Sequence, residues 1–173
     1  MNYNKVIYFD TANARGLSTV LFVQGCTNNC KNCHNPETHN FSGGVPFTKE
    51  IENKIIESLK NPHIKNFVIS GGDPCHPNNI KDVRRLCQKI KEENIDINII
   101  VYTGYIVEEL NKRTDFKELV PYIDILIDGP YIQELATKGI DYRGSINQRC
   151  FNIKKDYNNT YILIDISDRY FKE

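Results

Sequence analysis

Three of the six cysteines of this 173-residue chain, Cys26, Cys30 and Cys33, fall within eight residues at the spacing C-x3-C-x2-C. Three thiolates this close in sequence can wrap one metal centre. Fe–S clusters are usually held by four cysteines, so three leave one iron of a four-iron cluster without a protein thiolate. An open coordination position is where metal chemistry happens, whereas closed sites are structural. Other readings stand beside this one. A structural zinc site of the Cys3His kind would add His34, but His34 directly follows Cys33, and adjacent ligands close one tetrahedron poorly. Cys30-Lys31-Asn32-Cys33-His34 also matches the C-x-x-C-H pattern of c-type haem attachment. That chemistry needs export, and it leaves Cys26 unexplained. The plainest alternative is three unrelated loop cysteines.

The elements that position these residues follow from hydrophobic period. Ser18 to Gln24 reads as a buried strand feeding the cysteine loop. Val6 to Phe9 is a short apolar run expected at a sheet edge. Thr48 reads as an N-cap, with Glu50 in the first turn and Ile51, Ile55 and Leu59 on one helical face. Asn61-Pro62 ends that helix. Phe67 to Ser70 is the next strand, then a helix from about Asn79 to Glu93 with the stripe Ile80, Val83, Cys87 and Ile90. Ile97 to Tyr102 is a β-branched strand. Helical turns run from Ile106 to about Val120, broken near Thr114. Ile123 to Asp128 is a buried strand, and Cys150 to Ile153 and Thr160 to Ile166 are candidate terminal strands. Alternating strands and helices predict an α/β fold with a mostly parallel sheet. The chain is short for eight βα units, which need about 250 residues, so a partial, open (βα) barrel is the expected form.

Several motifs follow the C-terminal ends of predicted strands: the cysteine loop, Gly71-Gly72-Asp73-Pro74, Thr103-Gly104 and Asp128-Gly129. In parallel sheets those ends share one rim, where ligands bind. Gly71 and Gly72 let backbone approach a ligand, and Asp73 can accept from an ammonium; the same residues also suit a plain strand-to-helix turn. Thr103 offers a hydroxyl, or only starts a helix. Asp128 faces a substrate or caps a loop. Arg143 is able to pair with a carboxylate, bidentately in the right geometry, though most single arginines are surface charges. Cys75 lies beside the Gly-Gly turn and is read as a bystander, since a fourth thiolate would close the centre. Cys87 belongs to an apolar stripe, and Cys150 is expected to be buried.

Lys plus Arg and Asp plus Glu number 22 each. That balance exerts no long-range pull on nucleic acid or an anionic membrane, and no apolar run approaches the roughly 20 residues of a membrane span. Met1 to Lys5 do not lead into a signal-peptide core. The expectation is a cytoplasmic protein, where thiols stay reduced and six cysteines read as metal ligands, catalytic groups or buried thiols. The length suits one domain over residues 1–173, with its core at about 18–150 and an unassigned extension at 154–173. A chain of this size buries roughly 70% of its unfolded surface.

The C-x3-C-x2-C spacing resembles that of radical S-adenosylmethionine (SAM) enzymes. Phe22-Val23-Gln24-Gly25-Cys26, Pro46-Phe47-Thr48, Ser70-Gly71-Gly72-Asp73-Pro74, Val101-Tyr102-Thr103-Gly104-Tyr105 and Arg143-Gly144-Ser145-x-Asn147-Gln148 occur in the order found in one branch. That branch is the anaerobic ribonucleoside-triphosphate reductase activating proteins, which are glycyl-radical activases. The resemblance runs from Met1 to about Cys150. It implies a radical SAM-like partial barrel and a [4Fe-4S] cluster held by Cys26, Cys30 and Cys33. The amino and carboxylate groups of SAM would chelate the fourth iron. It assigns Gly71, Gly72 and Asp73 to the methionine amino group, and Thr103 to the ribose or carboxylate. Asn32, Cys33 and His34 are assigned to the cofactor; His34 points at the adenine, hydrogen-bonds the cluster or is solvated, and is not expected on iron. In much of the superfamily the residue before the third cysteine is aromatic; here it is Asn32, which leaves backbone contact. The implied reaction is reductive cleavage of SAM to a 5′-deoxyadenosyl radical that takes a hydrogen from a glycine of the large reductase subunit. A low-potential donor such as a flavodoxin-type protein supplies the electron. Activation of another glycyl-radical enzyme such as pyruvate formate-lyase, a small radical SAM synthase acting on a nucleoside precursor, and a non-catalytic zinc module are the competing readings.

Overall fold

The run before the cysteines becomes a strand because its side chains alternate between two buried faces. In the computed structural model, which describes residues 1–137 and 142–167, this is β2 (Leu17–Val23), preceded by β1 (Asn2–Asp10). Leu21 and Val23 enter the larger apolar cluster and Val20 and Phe22 the smaller one on the opposite face. β3 (Val45–Pro46) follows the cysteine loop, and α1 (Lys49–Leu59) starts at Thr48, whose hydroxyl accepts from Ile51 N at 3.5 Å. β4 (Ile64–Gly71), α2 (Ile80–Glu92), β5 (Asn98–Tyr102), α3 (Val107–Leu110), α4 (Thr114–Leu119) and β6 (Ile125–Asp128) come next. β7 (Arg149–Lys155) and β8 (Tyr161–Asp165) complete the order.

All eight strands join one open sheet in the order β3-β1-β2-β4-β5-β6-β7-β8. β2, β4, β5 and β6 are mutually parallel. The pairs β1–β2, β1–β3, β6–β7 and β7–β8 are antiparallel. Four of the seven pairings are thus antiparallel, which corrects the expectation of a mostly parallel sheet. The reason lies in the connections. A parallel pair needs a crossover of a dozen or more residues, usually helical. α1, α2 and the α3–α4 segment supply three such crossovers. Residues 11–16 and 156–160 are short links, and the described residues between β6 and β7 hold only a 3-10 turn at Gln133–Leu135, so those chains reverse.

β1 is interior, between β3 and β2, so the expected edge position passes to the two-residue β3. β8 supplies the opposite edge from within the extension left unassigned; residues 168–173 lie outside the described ones. The α2 stripe Ile80, Val83, Leu86, Cys87 and Ile90 is buried in the larger cluster. Each fully buried Leu or Ile there contributes about 1.5–3 kcal/mol. Among the described residues no helix is long and apolar enough to cross a membrane.

Candidate functional site

Parallel pairing aligns the carboxyl ends of the four central strands. Phe22 is in register with Ser70, and Val23 with Gly71. Phe22, Ser70 and Tyr102 all line a cavity of about 470 Å³ at that rim. The period of two along a strand therefore decides which side of the sheet carries the site.

The cysteine loop is closed at its base. Gly25 N donates to Thr38 O at 2.7 Å and Cys26 N to His39 O at 3.1 Å. The buried Gln24 side chain donates to Glu37 O at 3.0 Å and to Asn40 O at 2.7 Å. Within the loop, Asn28 N points to Cys26 Sγ and Asn35 N to Cys33 Sγ, both at 3.4 Å. Asn29 and Asn32 hold the left-handed φ values of +45° and +52°, a region in which asparagine is several-fold enriched.

Cys26, Cys30 and Cys33 are half-buried and line the cavity. Cys75, Cys87 and Cys150 are buried. Among the described residues no three His, Cys, Asp or Glu groups gather on one point as ligands of a single ion; the three thiols face a shared space instead. Burial pushes the Cys26 thiol up to about 11, with the Asn28 amide pulling against it. Burial also raises Cys30, opposed by hydrogen bonding from the Tyr131 backbone.

The turn after β4 is locked into this loop. Gly72 N donates to Val23 O and Asp73 N to Gly25 O, both at 2.8 Å. A Cβ on Gly72 would stand 2.5 Å from the Gly25 carbonyl oxygen, so the missing side chain is needed for chain-to-chain approach. Asp73 is 1% exposed. Its carboxylate accepts from Thr103 Oγ1 at 2.8 Å, Cys75 N at 2.9 Å, Gly104 N at 3.0 Å and Asn28 Nδ2 at 3.2 Å. Burial raises its pKa, and these four donors oppose the rise.

The remaining candidates fall as follows. Gly71, Gly72, Thr103, His34 and Arg143 line the cavity with the thiols. The Thr103 hydroxyl donates to Asp73 and accepts from Tyr105 N at 3.2 Å. Arg143 donates to Gln148 O at 3.0 Å and Ser167 O at 3.2 Å. Asn32 is exposed and outside the cavity wall. Asp128 is buried away from the cavity: Oδ2 accepts from Val107 N at 2.7 Å at the start of α3, and Oδ1 from Arg149 Nε at 3.0 Å.

Sequence reasoning did not find Asn79. It precedes α2 and has the residue type of a cap, yet its side chain caps nothing. The amide donates to Gln24 O at 3.1 Å, Gly25 O at 3.3 Å and Asp73 O at 3.0 Å, tying the two loops together. An asparagine before a helix signals a cap; no local pattern reports three distant carbonyls.

Residues 12–151 match the family described as a 4Fe-4S single cluster domain, so the class is that of a protein built around one iron–sulfur cluster. The anaerobic ribonucleoside-triphosphate reductase-activating protein of Vibrio cholerae is 44% identical over 150 residues, covering 86% of this chain and 96% of its own. The protein of the same description from Escherichia coli K12 is 39% identical with the same coverage, and that of bacteriophage T4 is 34% identical over 88% of this chain and 94% of its own. The chain belongs to the family of anaerobic ribonucleoside-triphosphate reductase-activating proteins.

Proposed function

We propose that this chain is a radical SAM activase that generates a glycyl radical on the large subunit of anaerobic ribonucleoside-triphosphate reductase. The observation that carries the reading is one cavity wall shared by three half-buried thiols, the Gly71-Gly72 turn and Arg143. Three thiols around a space, two of them facing backbone amides, suit a bulky iron–sulfur group better than a point ion. Cys26, Cys30 and Cys33 would hold three irons of a [4Fe-4S] cluster, leaving the fourth to the amino and carboxylate groups of SAM. The bound cofactors supply one electron to the sulfonium of SAM and a carbon radical that takes a hydrogen atom from the partner's glycine.

The protein's part is placement and exclusion of water. The amides of Gly72 and Asp73 are engaged within the protein, so this turn offers an ammonium carbonyl oxygen, the acceptor it needs. Arg143 supplies a cation for the carboxylate. Asp73 serves by holding Thr103, Gly104 and Asn28 in place beneath the cofactor, and Asn32 contributes backbone only. The open sheet with its three helical crossovers fits a partial (βα) barrel, and a cavity at an open rim suits a loop of a large protein as substrate. The balanced charge is consistent with a cytoplasmic protein that meets a flavodoxin-type donor and its reductase without nucleic acid or membrane.

The test is anaerobic reconstitution with iron, sulfide, dithionite and SAM, with and without the reductase large subunit, followed by electron paramagnetic resonance. A glycyl-radical doublet on the partner, absent with Cys30→Ala, is the expected result. SAM cleavage without the doublet would move the substrate elsewhere. A colourless, zinc-loaded protein without cleavage would overturn the reading.

A further inference from the structure

We infer that the loop of residues 11–16 is the floor of the cavity, and that Tyr102 is the positioning residue that holds this floor in place and keeps the reacting space closed on the side away from the rim. This rests on the activase reading above. β1 is antiparallel to β2, with Asp10 opposite Ser18, and Leu17 lies beside Ile64 at the start of β4. The loop between β1 and β2 therefore leaves the sheet at the end opposite the thiols. Ala12 and Asn13 nevertheless line the same cavity as the thiols. The loop folds under the inner face of the sheet, where buried Ala14 packs with Val20, Phe22, Val68 and Ile100.

Three side chains fix the loop in that place. The Tyr102 hydroxyl, from the last residue of β5, donates to Asn13 O at 2.9 Å across 89 positions of sequence. Burial raises the Tyr102 pKa, so the phenol stays a donor. Asp10, itself buried, accepts from Ala12 N at 3.0 Å, Asn13 N at 2.8 Å and Asn13 Nδ2 at 3.1 Å. Asn66, buried on β4, donates through Nδ2 to Arg15 O at 2.8 Å. The floor continues into the residues after β8. Ile166 joins the same apolar cluster, its N donates to Cys150 O at 2.8 Å, and Cys150 N donates to Ser167 Oγ at 2.9 Å.

An apolar sheet face must be covered by other chain, and in this protein that face is also the inside of the reacting space. A carbon radical formed there takes hydrogen from whichever weak X–H bond reaches it. The floor removes two such sources. It bars solutes, thiols included, from entering below the rim, and the bond to Asn13 O turns the phenolic hydrogen of Tyr102 away from the cavity. The partner's glycine, arriving at the rim, is then the donor that the radical meets. Tyr102 acts through the loop that it holds.

The experiment compares wild type with Tyr102→Phe, which keeps the ring and loses the bond. In the full chain before reconstitution, amide hydrogen exchange in a peptide holding residues 11–16 should be about fivefold faster in the variant, the size of change that loss of one neutral hydrogen bond produces. The reconstituted chain is then given SAM, dithionite and the reductase large subunit in D2O with dithiothreitol, whose thiol becomes S–D. In a coupled turnover the Cα–H bond of the glycine breaks and a C–H bond forms at C5′ of 5′-deoxyadenosine. In an uncoupled one the S–D bond breaks, a C5′–D bond forms and a thiyl radical remains on dithiothreitol. Wild type is expected to give mostly undeuterated 5′-deoxyadenosine. Tyr102→Phe should raise the deuterated share about fivefold, in step with loop opening, and lower the yield of glycyl radical per SAM cleaved. Asp10→Asn weakens the loop from its other side; it should move both readings in the same direction and serves should the Phe variant not fold. Exchange and deuterium content equal to those of wild type overturn the floor, and faster exchange with unchanged deuterium content overturns its role as a barrier. Absence of SAM cleavage by iron-loaded wild type overturns the activase reading and the barrier with it.

Discussion

Asn28 donates its side-chain amide to Asp73 Oδ2 at 3.2 Å, across 45 positions of sequence. Asn28 lies between the first two cysteines, and Asp73 ends the Gly-Gly turn. Because Asp73 also accepts from Thr103 and Gly104, one buried carboxylate joins the loops that follow β2, β4 and β5. The lateral position of the cysteine loop over the sheet is thus set by a side chain that does not itself line the cavity.

Asp73→Ala removes the shared acceptor and strands several buried donors. An unsatisfied buried group costs about 1–3 kcal/mol, so urea denaturation should show a loss of roughly 2–4 kcal/mol. Asn28→Ala removes one contact at the exposed end and should cost about 1 kcal/mol. Its clearer effect is faster loss of iron to a chelator from the reconstituted protein. An unchanged iron-release rate would mean that Asp73 does not restrain the loop.

Gly72→Ala tests the approach of β4 to β2. The new methyl would meet the Gly25 carbonyl oxygen at 2.5 Å and the Gly25 nitrogen at 2.8 Å. Both are backbone atoms in a tied loop, so relief requires moving the chain. Overpacking of this kind costs about 1–3 kcal/mol, and thermal denaturation should register it even in protein without iron. Equal melting temperatures would show that the turn gives way easily.

The six cysteines should divide into two sets. Alanine at Cys26, Cys30 or Cys33 is expected to abolish the brown colour and most bound iron after reconstitution. Alanine at Cys75, Cys87 or Cys150 should leave iron content near wild type, because these thiols are buried away from the cavity wall. Loss of the cluster on replacing Cys75 would give that residue a part in ligation.

Glu52 supplies an acid-sensitive contact far from the site. It is buried on α1 and pairs with Lys49 at 2.6 Å, Lys89 at 2.8 Å and Arg85 at 3.8 Å. Burial alone would raise its pKa, but the hydrogen bonds from Lys49 and Lys89 outweigh it and the net shift is downward from 4.5. A folded-state pKa below the unfolded one contributes stability that is present above about pH 4.5 and is lost as pH falls through the folded value. Glu52→Gln should lower the melting temperature at pH 7 and flatten its decline between pH 5 and pH 3. A decline as steep as that of wild type would assign the acid sensitivity to other groups.

Much of the site was legible because it sits where strands end. The apolar runs before Cys26, Gly71, Thr103 and Gly129 predict strands, helical patterns between them predict parallel order, and parallel order brings those ends to one rim. The spacing of Cys26, Cys30 and Cys33 is local and is read without knowledge of the fold. The Thr48 cap and the α2 stripe are likewise local, set by which side chains face the backbone or the core within a few residues.

Contacts between segments were decided only by the tertiary structure. Asp73 reads as a ligand acceptor in sequence, but packing turns its oxygens to four donors from the protein. Asn79 reads only as the start of a helix, but the loops passing over it offer three carbonyls. Tyr102 and Asn13 carry no shared signal until the loop after β1 folds under the sheet. The antiparallel flanks belong to the same class, since the direction of β7 depends on how the chain after β6 returns to the sheet. Local sequence determines which residues are strand, cap or thiol loop because those choices depend on near neighbours. The partner of a buried polar group depends on chain that arrives from far away.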